Sequence, residues 1–211
     1  MLYIDKTYFT KKLSVPNTAE PTSDASIELG SSIDRYVSQF LKLTLGNVLF
    51  EELKGYTTNG ELIISAPQKW KNLIDGVTYT KDAVDYTWQG LKYTDGAFKV
   101  SLLANYVYVN QFQTTTNSML GQVALDGKNG ILADSTPHLV DIWNEFVEMY
   151  QGSSNSQPMQ YYTNGVLFVD YFGNREAGYV SYLQFLNDNK EDYPSFSAGA
   201  IEYKNSLGVW K

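Results

Sequence analysis

Apolar residues recur every three or four positions along much of the chain, and this spacing predicts amphipathic helices. The first predicted helix begins at Ser23 or Asp24, either of which can act as an N-cap. The pair Gly46-Asn47 interrupts its pattern, and a short second helix ends at Gly55, a natural C-terminal residue. The chain from residue 23 to residue 55 is therefore predicted to be helical with one break.

Three later stretches show the same spacing. Ser65 is the predicted N-cap of a helix that carries Pro67 in its first turn and stops at Gly76. Another helix begins near Ser135 or Thr136 and has Pro137 in its first turn. A last helix carries apolar residues between positions 179 and 186. These helices predict a bundle.

The stretch from residue 98 to residue 113 differs from the others because it is apolar almost all the way round. We predict a long helix from about Asp95 to Asn117, in which Lys99 is the only charge between residues 98 and 113. A helix that is apolar on every side is buried on every side. Two explanations remain open: this helix lies at the centre of its own bundle, or it faces its bundle on one side and a second subunit on the other.

Alternating β-branched and aromatic residues indicate a few strands. Residues 77–93 predict either two short strands joined at Lys81-Asp82 or an extended excursion. Asn164-Gly165 lies between two β-rich runs and predicts a hairpin with a type I′ turn. Residues 1–22 are predicted to form an extended arm in which residues 2–5 are a short strand, and residues 121–134 are predicted to form a loop.

These elements predict a mainly α fold, a bundle of about four to five helices with one or two β-hairpins and extended N- and C-terminal arms. The predicted organisation is an arm (1–22), a helical domain (23–150), a flexible Gly/Ser/Asn-rich linker (151–158), and a C-terminal part (159–211). The C-terminal part holds a hairpin, a helix and a tail whose apolar residues show no helical period. We expect this part to make contacts between subunits.

The amino-acid composition narrows the range of possible functions. Aromatic residues make up 15% of the chain and include 17 tyrosines, which suit a tyrosine-rich core and a surface buried on assembly about equally well. The net charge of −7 argues against a wide cationic surface for duplex DNA, although an acidic lumen through which DNA slides is allowed.

No cysteine is present, which excludes disulfides and thiolate chemistry. We see no signal peptide and no apolar run long enough to span a membrane, so we expect a protein of a soluble compartment.

The sequence offers little catalytic chemistry. His138 is the only histidine, and its place in the first turn of a predicted helix favours a surface or capping residue over a catalytic one. One histidine without cysteine leaves a zinc site without its usual ligands. Residues 126–130 are interpreted as a turn because they lack the acidic series of a calcium loop. We expect no catalysis, no metal and no cofactor.

Two motifs carry a resemblance to a known family. The first is W-x-x-L-I-x-G-x-x-Y, with Trp70, Leu73, Ile74, Gly76 and Tyr79, and the second is Y-x-W-x-G-L-K-Y from Tyr86 to Tyr93. With the long apolar helix that follows, residues 23–150 resemble head–tail connector (adaptor or ring) proteins of tailed bacteriophages of Bacteroidetes, including the crAss-like phages. The motif residues are structural, and residues 151–211 carry little of the likeness.

The resemblance implies a non-enzymatic virion protein of the neck, made in the cytoplasm of the host bacterium. Copies of such proteins, usually twelve, form a ring between the portal and the neighbouring neck or tail ring, and DNA passes through the lumen without specific binding. No membrane is involved. We expect the partner interface to include aromatic and aliphatic side chains from the second motif, the long helix, the hairpin and the tail: Tyr86, Trp88, Tyr108, Tyr162, Phe168, Tyr171, Ile201, Tyr203, Leu207 and Trp210.

Two alternatives stay open. One is another structural role in the same kind of particle, such as a tail terminator or a decoration subunit. The other, less favoured, is a glycan-binding accessory protein that uses Trp88, Trp143 and Trp210 to stack on sugars. A monomer whose tail packs back on its own bundle is the structural alternative to ring assembly.

Overall fold

The computed structural model describes residues 3–95, 98–118, 136–152, 162–163, 166–167 and 178–202. Within these ranges the chain forms five α-helices: α1 Asp24–Gly55, α2 Gln68–Asp75, α3 Leu102–Ser118, α4 Thr136–Gln151 and α5 Tyr182–Asp188. The same ranges contain four antiparallel strand pairs: β1 Thr57–Thr58 with β2 Glu61–Leu62, β3 Val77–Lys81 with β4 Val84–Trp88, β5 Tyr93–Asp95 with β6 Phe98–Val100, and β7 Tyr162–Thr163 with β8 Val166–Leu167. The predicted mainly α fold with hairpins is confirmed.

Helix α1 begins and bends where the sequence predicts. Ser23 is the N-cap, and its hydroxyl accepts a hydrogen bond from the Ser26 amide at 3.2 Å. Gly46 leaves the helical region with φ 79° and ψ 165°, so the helix is kinked there and continues to Gly55. A Cβ at Gly46 would lie 3.2 Å from the carbonyl oxygen of Ser195, which packs against the kink.

Helix α2 has a different N-cap from the predicted one. The backbone around Ser65 forms a turn in which the Ala66 amide donates to the Ile63 carbonyl at 2.9 Å. The helix starts after Pro67, whose carbonyl accepts from the Trp70 amide at 3.0 Å, so Pro67 occupies the cap position. The prediction of Ser65 as the cap is therefore wrong, because the turn places it two residues too early.

The hairpin β3–β4 confirms the predicted strand pair at Lys81-Asp82. Lys81 pairs with Val84, and the two residues between them, Asp82 and Ala83, have φ values of 51° and 62°. Two left-handed residues in a two-residue loop are the mark of a type I′ turn, whose twist matches that of the strands. Farther along, strands β7 and β8 pair on either side of residues 164–165, as the sequence predicts.

Helix α3 starts seven residues later than predicted. Residues Phe98–Val100 form strand β6 and pair with β5, so the predicted start at Asp95 is wrong. The side chain of Ser101 then accepts a hydrogen bond from the Leu103 amide at 3.1 Å, which is the behaviour of an N-cap. The pairing of Asp95 with Phe98 leaves Gly96-Ala97 between the strands, and a glycine at the first of two such positions is a hairpin signal that the helical apolar pattern concealed.

A single chain covers α3 on all sides at its N-terminal half. Every residue from Ser101 to Val109 is buried. On one side Tyr106 contacts Phe40 of α1, with ring centroids 5.3 Å apart, and on the other it contacts Phe146 of α4 at 5.4 Å. Of the two explanations for the apolar helix, the central helix of the bundle is the one the structure shows. A second subunit is not needed to cover it.

The N-terminal segment, defined here as residues 3–9, contributes to the same core. The side chains of Tyr3, Ile4, Tyr8 and Phe9 are buried, although the segment has only one short 3-10 turn, Lys6–Tyr8. The predicted strand at residues 2–5 is not formed at residues 3–5: Tyr3 has a φ of 61°, and its amide makes one hydrogen bond, to the Gly60 carbonyl at 2.8 Å.

Candidate functional site

The two sequence motifs meet at a crossing of two glycines. Gly76 ends α2 with a φ of 93°, and Gly90 follows β4 with a φ of 90°. A Cβ at Gly76 would lie 2.7 Å from the Trp88 carbonyl oxygen, and a Cβ at Gly90 would lie 2.7 Å from the Gly76 nitrogen. Real Cβ atoms do not approach backbone this closely, so both positions require glycine. The motifs are therefore two halves of one packed arrangement.

Hydrogen bonds complete this arrangement. The last carbonyls of a helix lack partners within it. The Leu73 carbonyl of α2 accepts from the indole N–H of Trp88 at 3.0 Å and from the Leu91 amide at 3.2 Å, and the Ile74 carbonyl accepts from the Lys92 amide at 2.9 Å. We call residues 68–92 the interlocked unit. Its contacts join the end of α2, the end of β4 and the residues after β4 through backbone and indole groups.

The side chains predicted to meet a partner at β4 and α3 are in the core instead. Trp88 is 1% exposed and stacks on Phe185 of α5, with centroids 5.6 Å apart and planes 17° apart. Tyr86 and Tyr108 are also buried. The prediction that these three residues face another subunit is wrong, because α5 and the bundle already cover them.

The start of the C-terminal tail docks on α4 of its own chain. The Gln151 side chain donates to the Ile201 carbonyl at 2.8 Å and accepts from the Ile201 amide at 2.7 Å. Tyr150 donates to the Gly199 carbonyl, and Trp143 to the Glu202 carbonyl. The backbone of Ile201 is therefore held within the chain, while its side chain is only partly buried, and its assignment to a partner interface stays a prediction.

Six predicted interface residues lie wholly or partly outside the described part of the chain. The backbone of Tyr162 is described, in β7, but its side chain is not. The other five lie entirely outside the described residues: Phe168, Tyr171, Tyr203, Leu207 and Trp210. The linker and the loop at 121–134 also fall outside, apart from Gln151 and Gly152 at the end of α4. The assignments of these interface residues stay predictions.

Several described tyrosines are packed in the core and hydrogen-bond through their hydroxyl groups to other elements. This arrangement favours the explanation that the high tyrosine content serves the core. The hydroxyl of Tyr193 donates to the Lys69 carbonyl at 2.5 Å, and that of Tyr182 pairs with Thr44 at 2.9 Å. Burial raises the pKa of Tyr182, and it raises the pKa values of Tyr3 and Tyr150 to about 12. These phenols are therefore neutral over the physiological range.

The buried carboxylate of Asp188, in α5, links that helix to the β3–β4 hairpin through hydrogen bonds. The side chain of Asp188 is 2% exposed and accepts from the Tyr79 hydroxyl at 2.7 Å, from the Lys81 ammonium at 2.5 Å and from the Gln184 amide at 2.7 Å. Burial first, and then the carboxylate, raise the pKa of Tyr79, while the hydrogen bond that Lys81 donates to Asp188 raises the pKa of Lys81. No local pattern in the sequence indicates this cluster, because Tyr79 and Lys81 lie more than 100 residues from Asp188.

An open cleft of about 340 Å³ lies beside the N-terminal segment. It is lined by four residues of that segment, by the β1–β2 turn and by β5 and β6: Tyr3, Ile4, Asp5, Tyr8, Asn59, Gly60, Glu61, Lys92, Thr94 and Lys99. Its two carboxylates and two ammonium groups cancel in formal charge, and Lys92 pairs with Glu61. Burial raises the pKa of Asp5, but hydrogen bonds from Thr7 and the nearby lysines outweigh it and lower the pKa overall.

The described residues contain no group of three or more His, Asp or Glu side chains placed to hold a metal ion. His138 is exposed on α4 and lies 2.8 Å from the Lys12 carbonyl oxygen, which confirms the surface interpretation. In the part of the chain that the structure describes, no helix has the length and apolar character needed to cross a membrane.

Fold and site together define a mainly α protein built around an interlocked helix–hairpin unit. Comparison with known proteins adds no relative: no family model matches the chain, and no curated protein or solved structure is significantly similar to it.

Proposed function

We propose that this chain is a non-enzymatic structural subunit of a phage virion, a head–tail connector that forms a ring between the portal and the tail. Its partners are copies of itself, the portal protein, and the neighbouring ring of the neck. DNA passes through the lumen without specific binding. The proposal rests on the resemblance of residues 23–150 to connector proteins of Bacteroidetes phages.

The observation that carries the proposal is the crossing of Gly76 and Gly90. The resemblance depends on two separate motifs, and the structure brings both into one unit in which each glycine excludes a side chain. The residues on which the resemblance depends are thus the ones that fix the packing of this unit.

The surface offers contact points for assembly. Among the described residues, large apolar side chains are exposed at Ile27, Leu43, Val48 and Ile64. Leu43 and Val48 lie on either side of the α1 kink, and Val48 is 74% exposed. The net charge of −7 suits a lumen that repels the phosphate backbone and lets DNA slide.

Mass photometry and negative-stain imaging of the purified protein, with and without portal rings, test the proposal. We expect either closed rings of the chain alone or a monomer that assembles when portal is added. A monomer that ignores the portal under both conditions would contradict the proposal.

A pair of charge variants on α1 makes this test specific. Val48→Asp places a carboxylate at an exposed apolar position and should weaken assembly at least tenfold without lowering the melting temperature. Ser31→Asp adds the same charge at an exposed polar position of the same helix and should leave assembly unchanged. Equal effects of the two variants would show that net charge, and not the apolar contact, controls assembly.

The glycan-binding alternative has lost two of its three candidate residues. Trp88 and Trp143 are buried in the core, and Trp210 lies outside the described residues. The choice between a connector and a tail terminator or decoration subunit depends on where the chain lies in the particle.

A further inference from the structure

We propose that two copies of this chain pair through the outer edges of their β3 strands, antiparallel and about a twofold axis at Tyr79. The inference goes beyond the proposed function, because a twofold contact uses the same surface on both copies and does not propagate around a ring. The occupant of the edge is the β3 strand of a second copy.

The pairing within the hairpin shows which backbone groups of β3 point outward. Lys81 and Val84 flank the two-residue turn and pair across it. Residues in this position exchange both backbone hydrogen bonds, and bonded and non-bonded pairs then alternate along an antiparallel ladder. Tyr79 and Lys81 therefore bond to β4. The N–H and C=O groups of the alternate residues, Thr78 and Thr80, point away from it.

The other edge of the hairpin follows the same alternation and is already covered. Thr87 of β4 lies opposite Thr78. Its amide donates to the Gly178 carbonyl at 2.5 Å, and its carbonyl accepts from the Val180 amide at 3.0 Å. On the β3 side, no described residue hydrogen-bonds to the outward backbone groups of Thr78 or Thr80. The hairpin thus has one covered edge and one open edge.

The open edge is accessible to a second strand. Thr78 and Thr80 are exposed. Their hydroxyl groups bond across the hairpin, to Thr87 at 3.0 Å and to Asp85 at 2.6 Å, so they do not cover the outward backbone groups. A row of unpaired backbone groups on an extended strand is a template for pairing with another chain.

One register of self-pairing satisfies all the outward groups of both strands. It places Thr78 opposite Thr80 of the second copy, and Thr80 opposite Thr78. Each of these two pairs exchanges two backbone hydrogen bonds. A shift of two residues sets one threonine opposite its own counterpart and the other opposite Gly76 or Asp82. The Gly76 amide already donates to the Asn72 carbonyl at 3.1 Å, and Asp82 lies in the turn. The centred register therefore makes the most hydrogen bonds.

The side chains of β3 are complementary to themselves in the centred register. Lys81 falls opposite Val77 of the second copy, so no like charges face each other across the two strands. Thr78 and Thr80 form cross-strand pairs of threonines, which stabilise a sheet, whereas opposed like charges destabilise it. This complementarity is the reason for choosing a second copy of β3 as the occupant.

Lys81 is the feature that opposes pairing, because lysine on an edge strand commonly prevents association. In this chain its ammonium donates to the Asp188 carboxylate of α5 at 2.5 Å, and that carboxylate is 2% exposed. The charge is thus neutralised by the chain's own helix. It does not repel the strand of a second copy.

Disulfide cross-linking between two differently tagged chains tests the pairing. The natural chain has no cysteine, so only introduced thiols react. One chain carries Thr78→Cys and the other Thr80→Cys, and the mixture is oxidised with copper phenanthroline. Directly opposed residues have Cα atoms about 5.5 Å apart, within the range of a disulfide.

The centred register also predicts what each cysteine chain does alone. In that register Thr78 lies diagonal to Thr78 of the second copy, at about 7–8 Å, which is beyond the reach of a disulfide. The same holds for Thr80. We therefore expect the mixture to yield at least roughly fivefold more covalent dimer than either chain oxidised alone.

A matched pair of variants isolates the backbone contact. The chain with Thr78→Cys receives, in addition, either Thr80→Pro or Thr80→Val, and each is mixed with the Thr80→Cys chain. Both changes remove the hydroxyl bond to Asp85, but only proline removes the outward N–H. Proline is tolerated on an edge strand because that N–H makes no bond within the hairpin. Proline should lower the yield of covalent dimer at least fivefold, and valine should preserve it. Thermal melts confirm that both variants fold.

Each outcome decides the inference. Heterodimers that are lost with proline and kept with valine support it. Equal yields from the mixture and from single chains overturn the register, and equal effects of proline and valine overturn backbone pairing. Absence of cross-links at every concentration overturns the contact. If the thiols then also resist maleimide, another partner covers the edge. Ring formation and portal binding, measured by mass photometry on the natural chain, judge the proposed function separately.

Discussion

The interlocked unit and the N-terminal segment both belong to the core, yet they are held in different ways. In the unit, Gly76 meets Gly90 and the Trp88 indole donates to Leu73, so the contacts join residues about 15 positions apart. In the segment, Tyr3 binds Gly60 and Thr7 binds Lys99, across 57 and 92 positions. Both regions use backbone and side-chain contacts, so the difference between them is the sequence separation of the residues in contact.

The difference in sequence separation indicates which part of the molecule specifies the fold and which part completes it. Short-range contacts close small loops and cost little chain entropy, so the interlocked unit can form early. Long-range contacts of a terminal segment form late and open locally at lower cost. Local opening of the segment is therefore expected to leave the unit intact.

The largest expected effect comes from removing the aromatic anchor of the unit. Trp70 is fully buried and contacts Tyr193, with ring centroids 5.8 Å apart. Trp70→Ala should lower the free energy of unfolding by about 3–5 kcal/mol, because it leaves a large cavity. Urea denaturation followed by circular dichroism measures it, with Trp70→Phe as the smaller change. A loss below about 1 kcal/mol would show that the unit is not central to the fold.

The next largest effect tests the glycine crossing. Gly90→Ala should cost about 2–4 kcal/mol, since its Cβ would overlap backbone atoms at a φ of 90°. Gly55→Ala is the matched control: Gly55 ends α1 and has no heavy atom within 4 Å of the added Cβ. It should be neutral or stabilise by up to about 1 kcal/mol. Thermal melts of both proteins compare them, and equal melting temperatures would refute the crossing as a constraint.

Two tail truncations give an intermediate effect. Deleting residues 199–211 removes the hydrogen bonds to Gly199, Ile201 and Glu202 and should cost about 1–3 kcal/mol of stability. Deleting residues 203–211 keeps these bonds, so the melting temperature should stay the same while assembly weakens. If the shorter deletion lowers the melting temperature as much as the longer one, residues 203–211 serve the chain's own core.

The smallest effect concerns alkaline pH and the N-terminal segment. Burial raises the pKa of Tyr3 from 10.0 to about 12 in the folded chain. The neutral phenol is therefore favoured on folding, and its contribution is fully present below pH 10 and lost as pH rises toward 12. Melting temperatures measured across this interval should fall. Tyr3→Phe, which cannot ionise, should show a shallower decline, and an unchanged slope would remove Tyr3 as a cause.

Local signals in the sequence predict the elements well. Ser23 and Pro137 mark helix starts, Gly46 marks the kink, and the turn at Asp82 follows from two β-rich runs. The start of α3 is missed because the apolar run from Phe98 fits a helix as well as a strand, and pairing with β5 decides it. A periodic pattern reports burial more reliably than it reports backbone conformation.

Contacts between distant residues could not be predicted. Nothing local in the sequence indicates that Asp188 fastens Tyr79, or that Trp88 is covered by Phe185. The predicted interface therefore included Trp88, since an aromatic residue in a strand suits a core and a contact surface equally. The apolar residues of the arm, Tyr3 to Phe9, did carry a signal of burial that a classification as an extended arm overlooked.

Cryo-electron microscopy of the neck of an assembled particle that contains this chain tests the central claim most directly. We expect a closed ring of copies directly beneath the portal, with DNA along its axis. A chain found on the capsid exterior or at the distal end of the tail would contradict a role as connector.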